Sequence, residues 1–467
     1  MPDKYHIHTE PAPPRFRPVG KFGIVDWRED CASCHNCVKR ACAYGFYRDE
    51  ADTLRDEVGY LDYVYQCKGC LSCVQDCTKG ILTRVVNPEY NRMGDDYYTP
   101  AIILATWFQA DSGRIPVSGA GYGGPFTGSG FDSIWTDMSE IVRPTRDGIH
   151  GREYINTSVD IDRKNDHLVF ENGELVASPP LLETPLPVIF EAVPARWLRG
   201  PVPESVSKAA AKLGLMSIVR STGIVPAQSL EQERIIPLLD SAEALSNAAF
   251  AAASMVMVPD RPDIGEVCRA LKERNAEQIV AIRLPASPDS AARAVKLAGD
   301  GAEVLHLMFD SHGLESAPTN PRHACDVLRE VHGALVKAGT RDQVTLIASG
   351  GIAQAEHMAK AIICGADLVA IDIPLMIALE CRLCGECDRG EQCPIALEEI
   401  NPEFARERMT NLMGAWHSQL LELMGAMGIR EVRRLRGEVG RCMFFEDLER
   451  EIFGPLFGTR KKESVAI

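Results

Sequence analysis

The stretch that decides the fold lies at residues 344–372 and reads VTLIASGGIAQAEHMAKAIICGADLVAID. An apolar run is followed by a Ser-Gly-Gly turn, an amphipathic helical segment and a second apolar run. Apolar runs that alternate with helical segments predict parallel strands joined by crossover helices. Glycines ahead of a helix let the backbone approach a phosphate, and the helix N-terminus supplies N–H donors. The stretch therefore predicts a phosphate-binding β/α unit, with candidate contacts at Ser349, Gly350, Gly351, Gly365 and Ala366.

The same alternation extends on the N-terminal side of this stretch. Eight apolar runs begin at residues 187, 215, 234, 254, 278, 303, 344 and 367. Eight such units in about 190 residues fit an α/β protein with a compact (β/α)8 TIM barrel, which we place at residues 181–376. The alternative is an open doubly wound sheet, but no G-x-G-x-x-G follows the first run.

The barrel is predicted to bind flavin mononucleotide (FMN), because TIM barrels frequently bind phosphate with the loops after strands seven and eight. Arg283 lies near the end of the fifth run, in VAIRLP. A cation at this position would face the flavin ring and stabilise its reduced, anionic form. The alternative is an ion pair within the barrel.

A glycine-rich segment precedes the barrel, within residues 96–180. Seven glycines lie between Gly113 and Gly130 and are interleaved with aromatic residues. Glycine lets a loop follow a planar cofactor closely, so we expect cofactor contacts from Ser118, Gly119, Gly121 and Tyr122. The alternative is a flexible linker.

Two cysteine runs lie near the N-terminus, CASCHNCVKRAC from Cys31 and CKGCLSCVQDC from Cys67. The C-x2-C-x2-C spacing lets three thiolates bind one iron–sulfur cluster, and in two-cluster ferredoxins the fourth cysteine of each run binds the other cluster. Residues 26–95 are therefore predicted to form a ferredoxin-like domain with two [4Fe-4S] clusters. One cluster would be held by Cys31, Cys34, Cys37 and Cys77, and the other by Cys67, Cys70, Cys73 and Cys42. Structural zinc is the alternative, although its sites use pairs of C-x2-C.

A third cysteine group follows the barrel, in a loop at residues 377–400. Its members are Cys381, Cys384, Cys387 and Cys393, and Pro394 comes after the last of them. This spacing predicts a third cluster, either [4Fe-4S] or [3Fe-4S], with zinc as the alternative. Residues 1–25 are predicted to form an extended arm, and residues 401–467 a helical tail.

Charge and composition exclude several classes of protein. The net charge of -15 argues against a nucleic-acid partner, because a phosphate backbone requires a basic face. No run of 18 apolar residues exists, so membrane insertion is not expected. Sixteen cysteines without a secretory signal indicate free thiols and metal in a reducing compartment, which predicts a cytoplasmic protein.

These features together resemble the FMN-binding domain of the glutamate synthase family, in particular its archaeal-type members that carry a ferredoxin domain. The resemblance covers most of residues 96–445 and is most specific in SGGIAQAEHMAKAIICGADLVAIDIPLMIALECRLCGECDRGEQCPI and MGIREVRRLRGEVGR. It implies that Gly350 and Gly351 bind the FMN phosphate and that Arg283 replaces a flavin-contacting lysine. It also implies reductive amination of 2-oxoglutarate with ammonia, in which flavin N5 delivers a hydride to 2-iminoglutarate and L-glutamate is formed.

The resemblance also implies partners. No glutaminase or NAD(P)H-binding domain is recognisable, so we expect a multisubunit complex. Electrons would come from a ferredoxin or an NAD(P)H-oxidising flavoprotein subunit, and ammonia from solution or from a separate glutaminase subunit. The family's HDGGTGA segment is replaced by FDSHGLESAPTN, where Asp310 and His312 stand. An FMN and iron–sulfur electron-transfer subunit without synthase activity is therefore the alternative function.

Overall fold

The computed structural model describes residues 5–16, 19–25, 34, 40–43, 70–115, 124–136, 154–164, 170–175, 181–220, 234–241, 250, 252–317 and 319–458. It divides the chain into two compact units. The first comprises Met1–Ala12, Ala105–Cys381 and Glu386–Ile467, and the second comprises Pro13–Leu104 and Arg382–Gly385.

The first unit contains a closed barrel of eight parallel strands in sequential order. The strands are β1 (Val188–Phe190), β2 (Ser217–Arg220), β3 (Ile235–Leu238), β4 (Met255–Pro259), β5 (Ile279–Pro285), β6 (Val304–Met308), β7 (Thr345–Ser349) and β8 (Leu368–Ile371). Each begins one or two residues after the start of one of the eight predicted apolar runs, so the prediction of a (β/α)8 barrel is confirmed. Its closure by β8 pairing with β1 excludes the open sheet.

Helices connect the strands or follow the barrel. They are α1 (Val202–Lys212), α2 (Ile264–Arg274), α3 (Ser290–Gly299), α4 (Ala324–Lys337), α5 (Ala355–Ile363), α6 (Ile373–Ala378) and α7 (Pro402–Met427). The helix α3 illustrates why they form, because Ala294, Leu297 and Ala298 recur at i, i+3 and i+4 and give it one buried apolar face. The side chain of Asn401 accepts the N–H groups of Glu403 and Phe404 and so caps the start of α7.

The barrel interior is filled by alternate residues of its strands. Ile189, Ala281, Val304, Ile347 and Ala370 belong to one buried apolar cluster inside it. Because side chains of a strand point to opposite faces in turn, the residue two positions further along each strand also points inward. At the carboxyl ends of β1, β5, β6, β7 and β8 that residue is polar.

Short strands surround the barrel. They form the antiparallel pairs Val159–Ile161 with Leu182–Thr184, Phe170–Glu171 with Glu174–Leu175, and Ile134–Thr136 with Cys442–Phe444. The first pair closes the amino end of the barrel, where Ile161 joins the core and the Thr345 hydroxyl donates to the Asp162 carbonyl at 2.8 Å. The C-terminal region continues through Phe445–Leu448, a π-helical turn at Glu449–Phe453 and Gly454–Phe457.

The second unit is small. Its strands Phe22–Val25 and Thr83–Val86 pair antiparallel, and the short helices Ser72–Gln75 and Pro88–Asn91 lie on either side of the second strand in sequence. The helix Pro100–Ser112 crosses the boundary between the units in sequence. Among the helices of the described residues, none has the length and apolar character needed to cross a membrane.

Candidate active site at the carboxyl end of the barrel

Five polar side chains line the carboxyl end of the barrel interior. They are Glu191, Arg283, His306, Ser349 and Asp372, each two residues after an inward apolar position. Catalytic residues of TIM barrels come from this end of the strands. We call these five residues the mouth cluster.

Arg283 is held by Glu191. Its Nη2 lies 3.0 Å from Glu191 Oε1, and its Nε lies 2.6 Å from Met308 Sδ. The backbone N–H of Ala192 also donates to Glu191 Oε1 at 2.8 Å, whereas Glu191 Oε2 is buried without a hydrogen-bond partner. The two side chains are 13% and 8% exposed. Arg283 is therefore a cation at the mouth of the barrel, as the sequence predicts. It also forms an ion pair within the barrel, which was the alternative prediction for this residue.

His306 connects this pair to β7. It is fully buried, and its Nε2 lies 2.9 Å from Ser349 Oγ and 3.5 Å from Glu191 Oε2. Burial, reinforced by the charge of Arg283, lowers the pKa of His306 well below its ordinary value. The imidazole is therefore neutral near pH 7, and one of its ring nitrogens can accept a hydrogen bond.

The turn after β7 requires glycine at two successive positions. Gly350 and Gly351 have φ values of 93° and 72°. A Cβ on Gly350 would lie 2.6 Å from the Phe309 carbonyl oxygen, and one on Gly351 would lie 2.5 Å from the Gly313 Cα. The pair thus lets the loop after β6 lie directly against this turn, which was not foreseen. The turn leads into α5, so its position also suits a phosphate at the helix N-terminus.

Gly365 and Ala366 are corrections to the sequence-based site. They precede β8 and lie at the amino end of the barrel, whereas Gly350 and Gly351 follow β7 at the carboxyl end, because the two strands are parallel. The Arg341 guanidinium donates to the Gly365 carbonyl at 2.7 Å, and a Cβ on Gly365 would enter the His332 side chain. Their role is to pack the turn before β8, so neither belongs to the mouth cluster.

Asp372 occupies the turn after β8. Its carboxylate accepts the N–H of Ile373 at 2.6 Å and so caps α6. Burial raises the pKa of Asp372 to about 6, and the nearby charge of Glu191 adds to this effect. The residues present thus fit FMN in two places. Arg283 is a cation for the ring, with the unpaired Oε2 of Glu191 beside it, and the turn at Gly350 and Gly351 suits the phosphate. The N–H of Ile373, the first after Asp372 at the end of β8, already donates to the Asp372 carboxylate and is therefore not available to a phosphate.

Part of the glycine-rich segment packs on the turn after β7. Asp132 Oδ1 lies 2.8 Å from His357 Nε2, and Asp132 Oδ2 accepts the Thr127 hydroxyl at 2.6 Å. Although burial raises the pKa of Asp132, the hydrogen bonds from His357 and Thr127 bring it down to about 2. The Ala353 N–H donates to His357 Nδ1 at 3.2 Å, which links this carboxylate to the loop that follows Gly351. Ser118, Gly119, Gly121 and Tyr122 lie outside the described residues.

The N-terminal cysteine runs are described in part. Cys34, Cys42, Cys70, Cys73 and Cys77 belong to the described residues. Cys31, Cys37 and Cys67 lie outside them. A small cluster packs Cys73, Cys77 and Ala41 together with Ile81 and Leu82, so the chain beside Cys42 lies against the second run. The hydrogen bond with the Ser72 side chain lowers the pKa of Cys70, and the Ile81 backbone N–H lowers that of Cys77, which favours the thiolate form that binds metal.

The third cysteine run has a backbone feature in common with the second. The residue after the second cysteine has positive φ in both, 64° at Leu71 and 70° at Gly385. In both runs the third cysteine then lies in a helical turn, within Ser72–Gln75 and within Cys387–Arg389. The shared C-x2-C-x2-C spacing is thus matched by a shared local conformation. Cys381 is buried, and Cys384, Cys387 and Cys393 are half-buried.

Comparison with known proteins agrees with this architecture. Residues 248–430 match a family model described as the conserved region in glutamate synthase. An archaeal-type glutamate synthase [NADPH] of Dehalococcoides mccartyi is 25% identical over 89% of this chain and 93% of its own length. The archaeal glutamate synthase [NADPH] of Archaeoglobus fulgidus is 24% identical over 97% of this chain and 98% of its own length. The chain is thus similar to archaeal-type glutamate synthases over most of its length, and its residues 248–430 match the conserved region of the glutamate synthase family.

The family model begins shortly before β4 and ends after α7, so it includes the parts of the mouth cluster carried by β5, β6, β7 and β8. The glutamate synthase of Methanocaldococcus jannaschii is 32% identical over 41% of this chain and 41% of its own length. The match to the conserved region of glutamate synthase thus covers the part of the barrel that carries Arg283 and the turn after β7.

Sequence reasoning missed three members of the mouth cluster. Glu191, His306 and Asp372 each stand two residues after an inward apolar residue at the end of a strand. This period-two signal was present in the sequence and identifies them once the strands are placed. The contact of Asp132 with His357 joins residues 225 positions apart, and no local pattern predicts it.

Proposed function

We propose that the protein is an iron–sulfur flavoprotein oxidoreductase of the glutamate synthase type. It would pass electrons through its clusters to FMN for the reductive amination of 2-oxoglutarate with ammonia to L-glutamate. The observation that carries the proposal is the mouth cluster at the catalytic end of a barrel that matches the conserved region of glutamate synthase. The names of its relatives as glutamate synthases [NADPH] support it.

FMN, when bound, would supply hydride transfer to an imine carbon. Arg283 would face the ring, and the turn at Gly350 and Gly351 would receive the phosphate. Neutral His306 would orient the Ser349 hydroxyl through the hydrogen bond between its Nε2 and Ser349 Oγ. The barrel walls exclude water from these groups, because His306 is fully buried and Glu191 nearly so.

The clusters are assigned to the three cysteine runs. The two N-terminal runs would hold [4Fe-4S] clusters with the ligand sets given above, and the third run would hold a [4Fe-4S] or [3Fe-4S] cluster. The spacing supports this assignment, and so does the shared conformation at Leu71 and Gly385. The clusters would carry electrons one at a time between FMN and a partner, a ferredoxin or an NAD(P)H-oxidising flavoprotein subunit in a multisubunit complex. Ammonia would come from solution or from a separate glutaminase subunit.

An electron-transfer subunit is the second candidate, and one observation favours it. A dicarboxylate such as 2-oxoglutarate requires cations, but both arginines at the strand ends are paired where the structure describes them. Arg283 pairs with Glu191, and Arg220 lies 3.9 Å from Asp240. In this function FMN and the clusters would relay electrons within a larger redox complex.

One anaerobic experiment separates the two functions. The purified protein is assayed for FMN and iron, reduced, and then mixed with 2-oxoglutarate and ammonium. Reoxidation of the flavin with formation of glutamate is the result expected for the synthase. A flavin that stays reduced with these substrates, yet reoxidises when an iron–sulfur partner protein is added, would overturn the synthase and support the relay.

A further inference from the structure

We propose that Glu191 sets the reduction potential of the bound flavin by cancelling the charge of Arg283. This inference rests on the proposed binding of FMN at the barrel mouth. It holds for either of the two proposed functions, because both require a flavin at this position. Glu191 is in this view a tuning residue that acts through Arg283.

Arg283 and Glu191 form a buried ion pair. The two groups lie 3.0 Å apart, and their side chains are 13% and 8% exposed. The backbone N–H of Ala192 fixes the same carboxylate oxygen that receives Arg283. The carboxylate is therefore held in place on the guanidinium, and solvent screens neither partner strongly.

The electrostatic consequence follows from the charge balance. Reduction adds negative charge to a flavin, and a lone buried cation beside the ring would stabilise that charge and raise the potential. A carboxylate in contact with the cation offsets its positive charge. The pair therefore acts on the ring as a dipole, and its field is weaker than that of the lone cation. Glu191 thus keeps the flavin a stronger reductant than Arg283 alone would allow.

The test is an anaerobic potential titration of the full-length holoprotein, followed by flavin absorbance. In Glu191→Gln we expect the ratio of reduced to oxidised flavin at a fixed potential to rise about tenfold, which is ~30 mV for a two-electron couple. In Arg283→Gln we expect a shift in the opposite direction, because the carboxylate is left uncompensated. The double variant removes both charges, so its potential is expected to lie close to that of the wild type.

A matched control is available at the other end of the barrel. Glu303 makes a part-buried pair with Lys272 at 2.5 Å, so Glu303→Gln removes the same charge from a similar pair far from the mouth. The flavin reduction potential of Glu303→Gln is expected to equal that of the wild type. Equal shifts in Glu303→Gln and Glu191→Gln would overturn the proposal, since net charge alone would then be the cause.

The remaining outcomes also decide the matter. An unchanged potential in Glu191→Gln, or shifts of the same sign in both single variants, would overturn the proposal. If Glu191→Gln lost its flavin while the wild type kept it, Glu191 would be a binding residue and the tuning role would be wrong. A wild-type protein without flavin would overturn the proposed function itself, so the two failures are distinguishable.

Discussion

At the scale of single residues, Gly350 illustrates a backbone position with two separate constraints. Its φ of 93° is unfavourable for a residue with a Cβ, and the Phe309 carbonyl oxygen would lie 2.6 Å from that Cβ. We expect Gly350→Ala to lower the free energy of unfolding by about 3 kcal/mol or more, from the backbone conformation and the overlap together. Gly339→Ala is the control, because Gly339 has a φ of 71° with open space around it and should cost only about 1 kcal/mol. Urea unfolding measures both, and equal losses would contradict this account of Gly350.

Asp372 gives a prediction for pH dependence. Its folded-state pKa of about 6 lies above the ordinary value of 3.8, so the folded protein binds this proton more tightly than the unfolded chain does. Its contribution to stability is therefore present below about pH 4 and is lost as the pH rises through 6. We expect Asp372→Asn, which can still accept the Ile373 N–H, to be more stable than the wild type at pH 7.5 by about 2 kcal/mol. The gain should vanish near pH 4 in thermal or urea unfolding, and a gain independent of pH would contradict the assigned pKa.

At the scale of elements, the hydrogen bond between Asp132 and His357 holds the glycine-rich segment against the start of α5. The Asp132 pKa of about 2 indicates that this carboxylate stabilises the fold above pH 4 and loses that effect as the pH falls towards 2. We expect Asp132→Asn to cost about 1–3 kcal/mol at pH 7, because a buried charge-assisted hydrogen bond is lost. FMN affinity should fall as well, since the loop after Gly351 is held by the same histidine.

The control for this prediction is Asp263→Asn. Asp263 pairs with Arg261 at the surface, where both side chains are 43% exposed, so its loss should leave both stability and FMN affinity nearly unchanged. Unfolding and fluorescence titration with FMN give the two measurements. If Asp132→Asn kept its FMN affinity while losing stability, the contact would serve the fold alone.

The secondary-structure elements also show how much of the fold can be predicted from the sequence. Segments with strong local periodicity were placed well, because all eight barrel strands begin one or two residues after the start of a predicted apolar run. The side of the barrel on which Gly365 lies was misjudged, because a glycine turn looks the same before and after a strand. The pairing of Arg283 with Glu191 depends on barrel closure across 92 residues, which no local pattern contains.

At the scale of the whole molecule, the chain combines a barrel unit with a small unit that carries most of the N-terminal cysteines. A protein that moves electrons one at a time to a flavin needs redox groups besides the flavin, and the three cysteine runs are the candidates. If this interpretation is correct, metal content depends on cysteines within the runs and is independent of cysteines elsewhere. This difference separates metal ligands from incidental thiols, and acid-labile sulfide separates iron–sulfur clusters from zinc.

We therefore expect Cys70→Ser to lose about four iron atoms per chain when purified anaerobically, because a [4Fe-4S] cluster needs four protein ligands. Cys387→Ser should lose the three or four iron atoms of the third cluster and keep those of the N-terminal clusters. The control is Cys268→Ser on α2, outside the runs, where burial raises the thiol pKa to about 11 and so opposes metal binding. Iron, zinc and acid-labile sulfide analyses with visible absorption measure the outcome. Zinc without sulfide in the wild type, or full iron retention in Cys70→Ser, would show that the runs do not hold these clusters, and electron delivery to the barrel would then have to come from a partner alone.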